Sequence, residues 1–258
     1  MTNRHNQITA IIPFRIDCPE RERNLKLVLE YLKKNRIPTL LLEADCKQMF
    51  QPELNNKLVD YYFIQDEKTS FHKTHYLNLL AQKCQTPIIA IWDTDVLISM
   101  KCIEEAIWLL LQNEYDLCIP YNGTTKFLTA EQTILYEKNK NMDFLTERID
   151  SFYEVIKRPS CGGIVLVKRD TYKSAKGQNE YFCGWGPEDA EFVHRLEILG
   201  YKIKWKSSGF LFHLWHPRKN KENYIDQIPT NQIEFIKVCC MDTKELKDYI
   251  HSWDFPKS

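Results

Sequence analysis

The sequence predicts an α/β protein with a mostly parallel central sheet, flanking helices and a small helical C-terminal tail. Apolar, β-branched segments of strand length alternate with amphipathic helical patterns through the first 120 residues, which is typical of a parallel sheet covered by helices. One apolar segment, Pro87–Trp92, leads directly into the carboxylates of Asp93 and Asp95. Ligands of such sheets bind beyond the carboxyl ends of the strands, so this pair marks a candidate site.

The predicted elements follow one another with short connections. Strands are expected at residues 8–14, 39–43, 59–64, 87–92, 115–120 and 161–167. Helices are expected at residues 20–35, 71–83, 99–113 and 187–199, with two short helices in the tail. The last helix is expected to begin at Asp242, which has the spacing of a capping box to Glu245. A long, charged and mostly helical segment, 129–157, interrupts the alternation and forms either one wall of the site or a plain packing helix.

Composition and motifs exclude several classes of protein. Lys+Arg and Asp+Glu both total 35, so the formal net charge is zero, which argues against a dedicated nucleic-acid binder. The sequence contains no Gly-x-Gly-x-x-Gly and no Walker loop, which argues against a dehydrogenase or a P-loop ATPase. A bound nucleotide would therefore be held by something other than a glycine-rich loop.

Cysteine usage and hydropathy suggest a reducing compartment. The nine cysteines form no Cys-x-x-Cys pair. Five of them lie in apolar contexts and are expected to be reduced core thiols of a cytosolic protein: Cys84, Cys102, Cys118, Cys239 and Cys240. The polar N-terminal residues resemble no secretory signal, and no apolar run reaches the roughly 18 residues of a membrane span. The predicted location is the cytoplasm, and peripheral contact with the inner face of the membrane stays open.

The acidic pair Asp93 and Asp95 is a candidate cation site. Side chains alternate along an extended chain, so the two carboxylates would point the same way, with Thr94 opposed. Two carboxylates on one side suit a divalent cation that carries a phosphorylated substrate. The alternative is an ordinary acidic turn after a strand.

The segment Tyr181–Glu191 is the densest in chemically active residues. Gly184 and Gly186 allow a tight turn around Trp185, which leaves a flat aromatic face available to a sugar ring. Glu188 and Asp189 follow Pro187 at the predicted start of a helix, where the helix dipole favours acids. The two acids are therefore either catalytic groups or merely favourable residues for a helix start.

His213 and His216 form a second candidate metal-binding feature. Imidazole is the commonest neutral ligand of transition metals, and a His-x-x-His pair beside Asp-x-Asp favours a ligand role over a structural one. The basic segment that follows, 218–223, either folds over a diphosphate or is a solvated turn.

Together these residues resemble glycosyltransferases of the GT-A fold, most of all the β-1,4-galactosyltransferase family and its bacterial relatives. The likeness spans residues 8 to about 217. It lies in Ile11–Arg15 with Arg21, in Phe71–Asn78, in Asp93-Thr-Asp95, in Gly162-Gly163, and in Gly184-Trp-Gly-Pro-Glu-Asp189. The last of these is the most specific, since it is similar to the family's Gly-Trp-Gly-Gly-Glu-Asp.

The resemblance implies a role for each candidate residue. Donor-binding residues would be Pro13, Phe14, Arg15, Arg21, Lys73, Asp93, Asp95 and Trp185. Metal ligands for Mn²⁺ or Mg²⁺ would be Asp95, His216 and His213. Asp189 would be the general base, Glu188 would bind the acceptor or donor sugar, and Trp185 would stack on that sugar. The chain would be one GT-A domain, 1–258, with a nucleotide-binding half (1–120), an acceptor and catalytic half (121–217), and a lid loop with C-terminal helices (218–258).

The resulting hypothesis is an inverting, metal-dependent transfer of galactose or a related hexose or hexosamine from a UDP-sugar to a glycan. The acceptor would be a free or lipid-linked glycan in surface polysaccharide synthesis. Three alternatives stay open: a retaining GT-A transferase of the polypeptide N-acetylgalactosaminyltransferase type, a nucleotidyltransferase, or a non-catalytic protein that binds carbohydrate or nucleotide. The oligomeric state is not predicted.

Overall fold

The structure is a computed structural model that describes residues 4–52, 57–154, 159–217 and 228–253. Its main sheet has seven strands in the order β3-β2-β1-β4-β8-β6-β9. The strands are β1 (Ile8–Phe14), β2 (Thr39–Asp45), β3 (Val59–Gln65), β4 (Ile88–Trp92), β6 (Leu117–Ile119), β8 (Ile164–Lys168) and β9 (Ile203–Trp205). Strand β8 pairs antiparallel with both neighbours, whereas the remaining pairs are parallel. The mostly parallel sheet is therefore as predicted.

Nine helices lie in the described part of the chain. They are α1 (Pro19–Lys34), α2 (Lys73–Lys83), α3 (Met100–Leu111), α4 (Ala130–Asn139), α5 (Met142–Thr146), α6 (Arg169–Ser174), α7 (Glu188–Ile198), α8 (Ile228–Cys239) and α9 (Thr243–His251). Helices α8 and α9 form the predicted tail, and α9 begins with the predicted capping box between Asp242 and Glu245. None of the helices in these ranges combines the length and apolarity of a membrane span.

The core is built around the central strands of the main sheet. Every residue of β1 and β4 is buried, and Ile8, Ile11 and Ile12 are fully inaccessible to solvent. Full burial of an aliphatic side chain of this size contributes roughly 1.5–3 kcal/mol to folding, so these strands form the stable base of the sheet. Helix α2 packs against β1 and β2, and α3 packs against β6 and β8.

A smaller sheet contains three short strands and was not predicted. Strands β5 (Val96–Ile98) and β7 (Thr125–Phe127) flank β10 (Leu211–His213). Strand β10 runs antiparallel to β5, which sets His213 opposite Val96. This pairing brings residues more than a hundred positions apart into contact beside the end of β4.

Two expectations from the sequence are wrong. The backbone turns at Thr94 and Asp95 instead of continuing as a strand, so the two aspartates do not form a pair on one face. Cys239 and Cys240 are exposed rather than in the core, because Val238 beside them takes the buried position at this end of α8. All nine cysteines are free, as expected.

Candidate functional site

The two carboxylates in the turn after β4 contact different partners. Asp95 lies against His213 and His216, whereas Asp93 lies against Lys73 of α2. The backbone amide of Asp93 donates to the carbonyl of Gly163 at 2.8 Å, and that of Leu214 donates to the carbonyl of Asp95 at 2.7 Å. Both ends of the turn are therefore held by the main chain, and the turn joins two clusters of ionisable groups.

The first cluster has the donor set of a metal site. The Nε2 atom of His216 lies 3.2 Å from one carboxylate oxygen of Asp95, and the Nε2 atom of His213 lies 3.7 Å from the other. One ligand atom from each of the three residues lies within 4.8 Å of the others. One carboxylate with two imidazoles suits a divalent transition metal and leaves further positions for a ligand. These are the three residues predicted from the sequence.

The protonation of this cluster suits metal binding. Burial would raise the pKa of Asp95, but His213, His216 and Arg21 outweigh it and hold that pKa well below its usual range. Burial lowers the pKa of His213, although the carboxylate of Asp95 opposes this shift. At neutral pH the cluster therefore offers an ionised carboxylate and a neutral imidazole, which are the metal-binding forms.

The histidine segment is fixed by residues that sequence reasoning missed. Asn24 of α1 is fully buried and donates from Nδ2 to the carbonyl of Trp215 at 3.1 Å. Arg23 donates to the same carbonyl at 3.0 Å, and the amide of Trp215 donates to Thr133 Oγ1 at 2.9 Å. The only signal in the sequence is a polar Asn24 beside the apolar positions of α1. Thr133 belongs to the 129–157 segment, so that segment contacts the wall of the site.

The second cluster contains Lys73 and three carboxylates. The Lys73 ammonium lies 3.1 Å from Asp93 and 3.5 Å from each of Glu188 and Asp189. Glu188 and Asp189 are the first two residues of α7, where the helix dipole stabilises negative charge. Three acids around one cation leave an excess of negative charge, so a proton or a cationic group is favoured here.

The pKa values in this second cluster reflect that excess. Burial and then Asp189 raise the pKa of Glu188 to about 7. Burial raises the pKa of Asp93 to about 6, with Asp189 and Asp95 acting in the same direction and Lys73 against them. Burial would lower the pKa of Lys73, but Asp189, Asp93 and Glu188 raise it well above its usual value. Lysine therefore stays charged while two of the acids titrate near neutral pH.

The absence of a side chain at Gly162 leaves room for the Asp189 carboxylate in the second cluster. A Cβ atom on Gly162 would lie 2.5 Å from the Asp189 carboxylate, closer than any real contact. The carbonyl of Gly162 accepts from the buried Tyr121 hydroxyl at 2.6 Å, which fixes this backbone. Its neighbour Gly163 has φ +85° and packs against Leu211. The adjacent glycines thus serve close approach, as their position before β8 predicted.

The loop carrying Trp185 is held by Asn231 of α8, a second contact that the sequence did not reveal. Trp185 is 61% exposed, so its ring is available to a ligand. The Asn231 side chain is buried and donates at 2.9 Å to the carbonyls of both Cys183 and Trp185. A Cβ on Gly186 would lie 2.7 Å from Asn231, whereas Gly184 has φ +68°. One glycine therefore serves close packing and the other serves the turn.

We expect Asn231→Ala to destabilise the protein by about 1–3 kcal/mol, because it leaves two loop carbonyls without their donor. Urea unfolding measures the change. Asn139→Ala is the matched control, since Asn139 is an exposed residue of α4 that bonds only the carbonyl of Leu135; we expect a change below about 0.5 kcal/mol. Equal effects of the two substitutions would contradict the assigned role of Asn231.

The predicted donor-binding residues at β1 and α1 have internal partners. Pro13 and Phe14 are buried. The Arg15 guanidinium donates to the carbonyls of Ala44 and Lys68 and to Asp66, at 2.7–2.9 Å. Arg21 pairs with Asp17 at 3.1 Å. The hydrogen-bond partners of Arg15 thus belong to neither cluster, whereas Arg21 lies near enough to lower the pKa of Asp95.

A cavity of about 320 Å³ opens beside the metal-ligand cluster. It is lined by Phe127, Leu128, Tyr153, His213, Trp215, His216 and Pro217. The predicted basic loop 218–223 would follow directly, but it lies outside the described residues. The cavity therefore places aromatic side chains and the two histidines around one opening.

Three comparisons with known proteins bear on this site. Residues 147–217 match a family model described as the N-terminal domain of galactosyltransferase. Over 42 residues the chain is 40% identical to β-1,4-galactosyltransferase 7 of Drosophila melanogaster, which is 16% of this chain and 13% of that protein. The crystal structure of GalNAc-T7 with UDP, GalNAc and Mn²⁺ matches with a TM-score of 0.58 and 13% identity, over 95% of this chain and 50% of that one. The catalytic domain of Drosophila β1,4-galactosyltransferase 7 with xylobiose matches with a TM-score of 0.45 and 18% identity, over 83% and 73% of the two chains.

The fold is that of GT-A glycosyltransferases, and residues 147–217 match the galactosyltransferase family model. More particularly, the chain resembles galactosyltransferases over residues 147–217, which confirms the predicted resemblance for that segment. It spans about half the length of the GalNAc-T7 chain and matches a small part of the curated relative.

Proposed function

We propose that the protein is an inverting, metal-dependent glycosyltransferase that moves a hexose or hexosamine from a UDP-sugar to a glycan hydroxyl. The observation that supports this most is the turn at residues 93–95, which joins a metal-ligand cluster to a carboxylate cluster. Such a turn would hold the metal ligands and a proton-accepting group beside one another, so that a donor bound at the first cluster would meet an acceptor bound at the second. The same proposal includes one domain over 1–258 and a role in surface polysaccharide synthesis.

The chemistry of the donor set supports Mn²⁺ over Mg²⁺. Two imidazole nitrogens and one carboxylate are softer ligands than the oxygens that Mg²⁺ demands. When bound, the metal would act as a Lewis acid that neutralises charge on the departing diphosphate. Asp95, His213 and His216 would hold it, and the GalNAc-T7 neighbour with UDP and Mn²⁺ provides a precedent in the same fold.

In the proposed mechanism, the protein's own residues position the acceptor and take its proton. The exposed face of Trp185 would stack on the acceptor sugar. Asp189 would accept the hydroxyl proton as the oxygen attacks the anomeric carbon, while Glu188 would hydrogen-bond the sugar. Lys73 contacts both acids and would fix their orientation. Asp93, which also contacts Lys73, would order the donor side of the same cluster.

Calorimetry with UDP and Mn²⁺ tests this proposal. We expect UDP to bind in the presence of Mn²⁺ and to bind far more weakly without it, because Asp95, His213 and His216 would hold a cation whose charge offsets that of the diphosphate. A non-catalytic scaffold should bind neither, and that result would refute the proposal. The anomeric configuration of the product then separates an inverting enzyme from a retaining one of the GalNAc-transferase type.

A further inference from the structure

A second cavity, of about 270 Å³, lies outside both clusters. It is lined by Asn78, Lys176, Gln178, Glu180, Tyr181, Ser252 and Trp253. These residues come from α2, from the segment before the Trp185 loop, and from the end of the chain after α9. None of these described residues belongs to the metal-ligand cluster or is the proposed base.

The polar wall of this cavity is organised by Asn78. Its Nδ2 donates to the carbonyl of Gln178 at 2.9 Å and to a carboxylate oxygen of Glu180 at 2.7 Å. Its Oδ1 accepts from the amide of Gln178 and from the Tyr172 hydroxyl, both at 2.7 Å. Every donor and acceptor position of Asn78 is thus used, so Gln178 and Glu180 are held in place before any ligand arrives.

One polar atom of the wall lacks a partner. Gln178 is only 2% exposed, and its Oε1 accepts no hydrogen bond from the described residues. This amide oxygen is closed to solvent, so it becomes available to a ligand hydroxyl only if the Gln178 side chain turns toward the cavity; pairing it would then relieve an unfavourable buried acceptor. The neighbouring Glu180 side chain is 37% exposed; its carboxylate already accepts from Asn78 and pairs with His75 at 2.7 Å, and its remaining lone pairs can accept from a ligand hydroxyl.

An aromatic platform adjoins these acceptors. Tyr181 is 61% exposed although its ring stacks on Tyr249, with centroids 6.2 Å apart and planes within 14°. Tyr249 is itself fixed by Lys237 over its ring and by a hydrogen bond from its hydroxyl to Glu234. A rigid aromatic face beside convergent hydrogen-bond acceptors matches a sugar ring, which has apolar faces and hydroxyl edges.

We propose that this cavity is a second carbohydrate subsite, which binds a sugar unit of the acceptor glycan other than the unit that receives the transfer. The inference rests on the proposed function. Tyr181 and Trp185 are four residues apart, so their backbones lie within about 14 Å of each other. That separation is short enough for one oligosaccharide to contact both residues, and the proposed acceptor class is an extended glycan rather than a monosaccharide.

Titration of the full chain by ligand-observed NMR tests the subsite, without UDP or metal. The probes are galactose, N-acetylglucosamine, lactose and xylobiose. We expect Tyr181→Ala to weaken disaccharide binding roughly two- to tenfold through lost stacking. Trp108→Ala is the matched control, because Trp108 is a 41% exposed aromatic of α3 that lines neither cavity. We expect it to leave binding unchanged.

The outcomes separate this inference from the proposed function. If Tyr181→Ala behaves as Trp108→Ala does, or if no probe binds the wild-type protein, the subsite is refuted while UDP binding still tests the transferase. If disaccharides bind through Tyr181 but no transfer occurs with any donor, the cavity stands as a carbohydrate site and the transferase proposal fails. With an active enzyme, Tyr181→Ala should raise KM for disaccharide acceptors and leave kcat unchanged.

Discussion

Replacing Asp95 with alanine is expected to weaken Mn²⁺ binding at least ~100-fold and to abolish transfer. The substitution removes the single carboxylate of the ligand set and leaves only the two histidine imidazoles to bind the cation. Loss of an outer-shell partner of a metal ligand already costs about 10–100-fold in affinity, so loss of the ligand itself costs more. Calorimetric titration with Mn²⁺ measures the effect directly.

Asp93→Ala is the matched control for this prediction. Asp93 lies two residues away but contacts Lys73 and not the histidines, so we expect Mn²⁺ affinity to change little. The two variants therefore test whether Asp95 binds the cation while Asp93 has a different role. Equal loss of Mn²⁺ binding in both would show that the carboxylates act together on the cation, as the extended-strand interpretation first suggested.

The central fold could be predicted because its signals are local. A buried strand such as β1 is a continuous apolar run, and α1 repeats its apolar residues at helical spacing. The direction of β8 could not be predicted, since a strand buried on both faces shows the same apolar pattern in either direction. The strands of the smaller sheet have three residues each, which is too short for any periodicity to appear.

Candidate residues were predictable by type, and the resemblance already grouped Asp95 with the two histidines, but the strand pairing that brings them together was not predictable. Asp95 and the two histidines were singled out by their metal-binding chemistry, and the structure brings them together through the pairing of β10 with β5. The separation of Asp93 from Asp95 depends on a turn that no local motif marks. Asn24 and Asn231 hold the site through contacts across the fold, so neither could be identified from its neighbours in the chain.

The exposure of Cys239 and Cys240 illustrates the same limit. Both lie at the end of α8 among apolar residues, which predicts burial. The opposite face of that helix contributes the buried Asn231 and Glu234, and these bind the segment before α7 through polar contacts. The exposed Ile233 and Ile236 follow from this packing. Because α8 docks through these polar contacts and a single buried apolar residue, Val238, its other apolar residues can face solvent against the hydropathy pattern.

Replacing Asp189 with asparagine is expected to lower turnover by about 10²–10⁴-fold while UDP and Mn²⁺ still bind. The amide keeps the size of the side chain but cannot accept the acceptor's proton, and a positioned base is worth about this factor. The metal ligands are not altered, because Asp189 belongs to the cluster around Lys73. Steady-state kinetics with a UDP-sugar, together with calorimetry, separate the two effects.

Two further variants test whether the loss of turnover depends on the position of the Asp189 carboxylate or on its ability to accept a proton. Gly162→Ala puts a methyl group 2.5 Å from the present position of the Asp189 carboxylate, so the carboxylate must move. A small displacement of a reacting group can cost about 10²-fold, so we expect slower turnover with the acid intact. Asp170→Asn alters a 92% exposed acid and should leave turnover unchanged.

Near-full activity of Asp189→Asn would mean that another group accepts the proton. Glu188 would then be the first candidate, because it contacts the same lysine and its pKa is raised to about 7.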